Sequence, residues 1–280
     1  MDAELVRRGL ARSRDDAVEL VASGAVAVGG RRAVKPATRV TSGTAITTRR
    51  AEPTYVSRGA YKLAGALADF GPMGLAVRGR RCMDVGASTG GFTEVLLGAG
   101  ASTVVAVDVG TGQLAPSLSG DARVEVHDGV NARDLDVAAV GVADLIVVDV
   151  SFISLTLVLP AVAGCLMVDG DILAMVKPQF EVGRDGLDGR GVVRTVAQRV
   201  AALERVATAA ADAGLGTRAA VASTRAGAAG NTEYFLWLRH DAPEPDRALL
   251  RAAVEPDPMR DDVPSRDPGQ VQGALERGPR

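Results

Sequence analysis

A glycine-rich turn, Asp84-Val85-Gly86-Ala87-Ser88-Thr89-Gly90-Gly91-Phe92, follows an apolar run and opens a helical stretch. That places it at the carboxyl end of a strand, the edge at which open α/β sheets bind ligands. A dinucleotide fingerprint requires G-x-G-x-x-G spacing, with backbone N–H groups facing a pyrophosphate. Here the spacing is Gly86-x-x-x-Gly90-Gly91, and Asp84 stands two residues before the first glycine. An anion there disfavours a pyrophosphate and suits the cationic ammonium and sulfonium groups of S-adenosylmethionine. The cofactor candidates are therefore Asp84, Gly86, Ala87, Ser88, Gly90, Gly91 and Phe92. Asp108 joins them from the end of the next apolar run, where a carboxylate can take two ribose hydroxyls. Asp128 and Asn131, after the third run, are candidates for an adenine edge. Taken alone, the glycines also fit an ordinary tight turn.

A second set of charges stands where a buried sheet has no structural need of them. Asp149 follows Leu145-Ile146-Val147-Val148, Lys177 follows Ile172-Leu173-Ala174-Met175-Val176, and Glu233 opens the last apolar run. The carboxyl ends of the fourth and fifth parallel strands lie beside the cofactor crevice, and an antiparallel last strand presents its start at the same edge. Lys62, in Ser57-Arg58-Gly59-Ala60-Tyr61-Lys62-Leu63, adds a fourth charge from a helix. Any one of these alone reads as a surface ion pair; all four at element ends, in this order, read as a catalytic constellation.

The elements that must position them are visible in the pattern. Seven short runs are expected as strands: 82–86, 103–108, 124–127, 145–149, 172–177, 217–222 and 233–238. Helical stretches alternate with them, which predicts an α/β fold with a mostly parallel, doubly wound sheet. The longest helix is expected over 195–213. Residues 1–50 form a separate α-plus-β module: Gly9 ends a first helix, Ser13 and Asp16 form a capping box for a second, and Gly29-Gly30 joins two strands as a hairpin. Residues 51–58 are a linker around Pro53, 59–240 the large domain, and 241–280 a disordered tail with seven prolines and one helical turn near 248–254.

Composition excludes several classes. With 47% apolar residues and a net charge of −2, the chain is neither disordered nor globally basic. The charge is local: residues 1–58 hold eleven arginines and lysines against six acids. Arg7, Arg8, Arg12, Arg14, Arg31, Arg32 and Arg58 are candidates for a phosphate-binding surface, with a solvated arginine face as the alternative. Cys82 and Cys165 are neither paired nor spaced as ligands, so no metal site and no disulfide is expected, in keeping with a cytoplasmic location. The acidic Met1-Asp2-Ala3-Glu4 start does not read as a secretory signal. The apolar stretch 152–168, fenced by Asp149, Asp169 and Asp171, reads as a strand end and a buried helix, not a membrane span.

At this point the chain resembles the hemolysin-A-type (TlyA) ribosomal RNA 2′-O-methyltransferases. The motifs are Ser57–Leu63, Gly86–Thr93, Asp108-Val109-Gly110, Asp149-Val150-Ser151-Phe152-Ile153-Ser154, Val176-Lys177-Pro178-Gln179-Phe180-Glu181 and Gly230-Asn231-Thr232-Glu233-Tyr234-Phe235. The resemblance implies an S4-like RNA-binding domain followed by an FtsJ-like domain with a Rossmann-like class I methyltransferase sheet. It also implies S-adenosylmethionine as methyl donor, ribosomal RNA or ribosomal subunits as partner, no membrane and no metal. Its catalytic tetrad falls on Lys62, Asp149, Lys177 and Glu233. These residue types suit the reaction. A ribose hydroxyl is too weak an acid to attack unaided near neutral pH, so a base must accept its proton. Lysine, with an ordinary pKa of about 10.4, must be disposed to that role by burial and a second ammonium, while carboxylates oppose this and hold the amines in line. Lys177 is assigned as the base or hydroxyl-orienting group, Asp149 as its orienter, and Lys62 and Glu233 as ribose-positioning groups. Tyr55 departs from the family's frequent tryptophan, and the loop Gly183–Gly191 reads either as RNA-gripping or as ordinary punctuation. Rival readings are a membrane-damaging hemolysin, a non-catalytic RNA-binding or assembly factor, and a small-molecule O-methyltransferase.

Overall fold

Central parallel strands are covered on both faces, so they need continuous runs of branched apolar residues and not an alternating pattern. Each of the seven expected runs forms a strand. The computed structural model describes residues 1–11, 14–22, 24–33, 35–41, 43–48, 55–183, 186–227 and 230–255. Between residues 54 and 55 the chain divides into two compact units.

The first unit has two helices, α1 (Asp2–Arg7) and α2 (Arg14–Ala22), and three short strands, β1 (Val26–Val28), β2 (Arg31–Arg32) and β3 (Ile46–Thr48). The strands pair antiparallel in the order β2-β1-β3. Gly29 and Gly30 both have positive φ, 55° and 79°, which a two-residue type I′ hairpin demands. Gly9, at φ 67°, ends α1 as expected. Leu5, Ala17, Val21 and Val26 close a small core. Ser13 of the proposed capping box and Arg12 lie outside the described residues, as does the linker stretch 51–54. Residues 55–58 belong to the second unit.

The second unit begins with α3 (Gly59–Phe70) and continues β4 (Arg81–Val85), α4 (Gly91–Gly98), β5 (Thr103–Asp108), α5 (Pro116–Ser119), β6 (Val124–Asp128), α6 (Val137–Val140) and β7 (Ala143–Val148). It is completed by α7 (Leu159–Gly164), β8 (Leu166–Val176), α8 (Pro178–Glu181), α9 (Val196–Asp212), β9 (Gly216–Ala222), β10 (Tyr234–Arg239) and α10 (Arg247–Val254). The sheet order is β6-β5-β4-β7-β8-β10-β9. β10 alone runs against its neighbours, with Tyr234 opposite Val176, so its start lies at the edge where β8 ends. One face of the sheet, with Met83, Ile146, Ile172 and Leu236, packs on α7, α9 and α10. The other, with Cys82, Leu145, Leu173 and Trp237, packs on α3 and α4.

Two segments depart from the sequence reading. The run 152–168 splits: Ser154 caps a 3-10 turn at Leu155–Leu157, α7 follows, and the chain enters β8 at Leu166, six residues earlier than expected. Among the described residues no helix is long and apolar enough to cross a membrane. The segment 241–255, expected within a tail, is ordered structure: Pro243 O accepts from Thr217 N at 2.9 Å, Asp246 caps α10, and Leu250 and Val254 are buried against the sheet layer. Residues 256–280 lie outside the described residues. If α10 belongs to the fold, Leu250→Ala should cost about 2–4 kcal/mol in urea unfolding, as for other buried leucines. An unchanged midpoint would return 241–255 to the tail.

Candidate active site

The turn after β4 is built from backbone that tolerates no side chain at one point. Gly86 has φ 90°, and a Cβ there would lie 2.4 Å from the carbonyl oxygen of Asp149. The two loops are stitched by Asp149 N, which donates to Val85 O at 2.9 Å. Gly90, at φ 96°, starts α4, and Ser88 takes a positive φ of 48° between them. Gly91 lies under the entry to α3, where a Cβ would meet Ser57 Oγ at 2.0 Å. Glu94 of α4 accepts from Val56 N at 2.6 Å, holding the same entry. Phe92 stacks on Phe235 with ring centroids 6.1 Å apart, and Ala87 is buried.

Asp84 is wholly buried; its Oδ2 accepts from Thr93 Oγ1 at 2.7 Å, while Oδ1 has no hydrogen-bond partner. Burial, reinforced by the nearby negative charges of Asp149 and Asp108, pushes its carboxyl up to about 7, against the lowering effect of Thr93. An orphaned, desolvated carboxylate oxygen is a site for a cation. Asp108 ends β5 and accepts from Ser88 N at 2.8 Å and Gly110 N at 2.7 Å, so its carboxylate is aimed by the glycine turn itself. Asp128 accepts from Gly112 N at 2.7 Å. Asn131 caps a short turn through Arg133 N at 3.1 Å, which accounts for its side-chain oxygen without a ligand.

The four charges meet as two pairs. Lys177 Nζ lies 2.6 Å from Asp149 Oδ1 and donates to Ser151 Oγ at 2.7 Å. Lys62 Nζ donates to Glu233 Oε2 at 2.5 Å. The β8–β10 register sets Glu233 beside Lys177, and Asp149 Oδ2 would be 3.8 Å from a Cβ on Gly59, one turn before Lys62. The pairs thus share one edge of the sheet. Lys177 and Glu233 are buried, which strengthens their electrostatics relative to an exposed pair.

Three features escaped the sequence reading. Ser151 shares Lys177 with Asp149. Phe152 is 91% exposed at φ 65°, with its ring 5.3 Å from Phe180. Positive φ in a bulky residue is a genuine outlier of the kind that collects at functional sites. Glu181 is buried and bonded to Ser154 and Leu155. All stand in motifs already singled out, but nothing in their residue types told of these contacts. Among the described residues no group of three or more His, Cys, Asp and Glu is placed to hold a metal ion.

The arginine candidates are more dispersed. Arg7 and Arg8 both pair with Glu4, and Arg8 also donates to Thr44 O at 2.8 Å and Thr41 O at 3.0 Å, so it braces a loop. Arg14, Arg31, Arg32 and Arg58 are exposed. The loop after α8 is stapled where it is described: Asp188 accepts from Arg190 N and Val192 N, and the buried Asn231 bridges Val193 N and Gly191 O. That is an ordered turn with Arg190 exposed on it.

Comparison with known proteins gives the family. The FtsJ-like methyltransferase family matches residues 55–240 and the S4 domain family residues 2–46. A 16S/23S rRNA (cytidine-2′-O)-methyltransferase TlyA of Mycobacterium tuberculosis is 52% identical over 257 residues, 91% of this chain and 94% of that protein. A protein named hemolysin A from Brachyspira hyodysenteriae is 34% identical over 84% of this chain and 97% of its own. A solved Streptococcus thermophilus structure, also carrying a hemolysin name, superimposes with TM-score 0.72 at 38% identity, over 90% of this chain and 93% of that one.

The raised Asp84 carboxyl has a consequence for stability. Between about pH 4 and 7 the folded chain keeps a proton that the unfolded chain has released, so this residue makes stability fall as pH rises through that window. Asp84→Asn keeps an acceptor for Thr93 and should stabilise the ligand-free protein by roughly 2–4 kcal/mol at pH 8 but hardly at pH 4.5. Calorimetric melting at both pH values checks this; an equal gain at both would show that Asp84 is not the titrating group.

Proposed function

From the premise that this chain belongs to the FtsJ-like methyltransferase family, in its S4-carrying TlyA branch, we propose that it methylates a ribose 2′-hydroxyl of ribosomal RNA with S-adenosylmethionine as donor. It is a methyltransferase by family; the acceptor and donor are our reading. The observation that carries the reading is the Lys177–Asp149 pair, whose Asp149 carbonyl is packed on Gly86 of the glycine turn. A group able to steer a hydroxyl therefore stands against the turn that would hold the donor.

The residues present fit that donor. Asp84 offers an unpartnered buried oxygen to a cationic amino-acid end, and Asp108, bonded to Ser88 N of the glycine turn, is oriented for a diol. Asp128 and Asn131 stand further out, and Asn131 is taken up by its turn. When bound, S-adenosylmethionine supplies an electrophilic methyl carbon on a sulfonium. Everything else is done by the chain. Lys177 holds the ribose oxygen in line by donating an N–H to it, or in neutral form takes its proton as the new C–O bond forms. Asp149 and Ser151 fix the Lys177 ammonium from two sides. Lys62 and Glu233, locked together, present an amine and a carboxylate to the sugar. Phe152 offers an exposed ring on which a base drawn out of an RNA helix can stack. The 2′-hydroxyl is also what distinguishes RNA from DNA.

The S4 unit would supply RNA affinity through Arg14, Arg31 and Arg32, with Arg58 contributing from the methyltransferase unit; Arg7 pairs with Glu4 on its own helix, and Arg8 serves first as a brace. Arg12 belongs to the same proposal. A ribosomal substrate would put the protein in the cytoplasm, and cytidine is the nucleoside named for the Mycobacterium relative.

Purified protein with labelled donor should label 16S or 23S RNA, naked or in a subunit, at a 2′-oxygen. Lys177→Ala should lower the single-turnover rate by about 10²–10⁴-fold while RNA affinity stays within about threefold. Wild-type protein that labels none of these substrates would falsify the assignment. Haemoglobin release without donor would support the membrane-damaging alternative instead.

A further inference from the structure

Glu181 is a carboxylate in a place that apolar packing would fill more cheaply. It ends α8, four residues beyond Lys177, and is 2% exposed. Burial pushes its carboxyl up, and the contacts from Ser154 and Leu155 work the other way. Both of its oxygens serve one loop: Oε1 accepts from Leu155 N at 2.9 Å and Oε2 from Ser154 Oγ at 2.5 Å. Arg205 of α9 donates to the Glu181 main-chain oxygen at 2.6 Å and so pins the backbone that carries the carboxylate.

The loop it grips is the one that carries the chemistry. Asp149 and Ser151 at its near end engage Lys177, and Phe152 then turns through φ 65° to stand exposed. Ser154 and Leu155 form the far end. A strained arch of this kind relaxes unless both feet are held. Lys177 holds one foot and Glu181 the other, from a single short segment, so the separation of the two feet is set by the rigid span 177–181. A carboxylate suits the task because two coplanar acceptors can take an N–H and an O–H from successive residues. A leucine would fill the space but leave Leu155 N buried and unpaired, which works against the folded loop.

We propose that Glu181 is a positioning residue of the methyl-transfer site, clamping the Ser154–Leu155 foot of the arch and so setting where Ser151, Phe152 and Lys177 stand relative to the ribose. This rests on the methyltransferase reading above. Glu181 touches neither substrate nor donor in this role; it acts through the arch.

The test compares Glu181→Ala and Glu181→Gln in the full chain. Glutamine keeps an acceptor for Leu155 N and offers its amide to Ser154 Oγ, whose proton can turn to Thr156 Oγ1, 2.8 Å away. The alanine variant should lose about 10–100-fold in single-turnover methyl transfer at saturating RNA and donor, the scale expected of a misplaced reacting group. Its donor KM should stay within about twofold, and hydrogen exchange over 150–156 should quicken. Glutamine should restore both rate and protection. An alanine variant with wild-type rate, a loss confined to donor KM, or a glutamine variant as slow as alanine overturns the clamp. If the alanine variant does not fold, Ser154→Ala must slow transfer and loosen the same peptide, or the clamp is refuted. Wild-type protein that transfers no methyl group would sink the functional reading alone, because exchange over 150–156 in the alanine variant still decides whether Glu181 holds the arch.

Discussion

The carbonyl oxygen of Asp149 occupies the space that a side chain on residue 86 would need, 2.4 Å from where its Cβ would lie. Residue 86 also has φ 90°, so glycine is required there on two independent grounds. This contact fixes the distance between the turn after β4 and the loop after β7, and the remaining geometry follows from it. The parallel register Val85↔Val148 continues directly into the contact, so the sheet delivers both loops at one height. Lys177 is then reached from the adjoining strand, and Glu233 from the start of the reversed strand beyond it. A strand reversal at β10 is what lets a residue at the beginning of a strand join residues at the ends of others.

Pairing the four charges two by two limits the cost of burying them. A lone buried ammonium or carboxylate would shed its charge before it sacrificed that much solvation, whereas a close pair with further hydrogen bonds can keep it. Lys177 has both Asp149 and Ser151, which leaves one N–H direction for a substrate oxygen. Asp84 contrasts with them. It is wholly buried, one of its oxygens has no hydrogen-bond partner, and burial pushes its carboxyl up.

Much of this was legible beforehand, for identifiable reasons. Strands buried on both faces betray themselves as unbroken apolar runs, and the charges at their ends stand out against that background. Strand β3, absent from the sequence reading, has three residues and no room to show a period. The boundary between α7 and β8 was hidden because a buried helix and a buried strand share composition over 152–168. The helix α10 was legible as one turn near 248–254, where Leu250 and Val254 stand four apart, but the prolines around it hid that the turn packs on the fold. Which lysine pairs with which carboxylate is a matter of register, and no residue type announces it. Arg8 looked like one more phosphate ligand, but its guanidinium fits two loop carbonyls in space that are distant in sequence.

The site as a whole stores free energy that other parts of the unit must offset. The positive φ of Phe152, the desolvated Asp84 and the buried carboxylate of Glu181 each weigh against folding. The far end of the same strands is built differently. There Asp171 is buried with Arg80, Trp237 Nε1 at 2.7 Å and Arg239 at 2.9 Å, every oxygen satisfied, between two apolar layers. A fully bonded network at one end and an under-satisfied one at the other divide the sheet by task. The bonded network sits where the parallel strands begin and the under-satisfied groups where they end, the edge at which the proposed donor and RNA hydroxyl would meet polar groups already oriented.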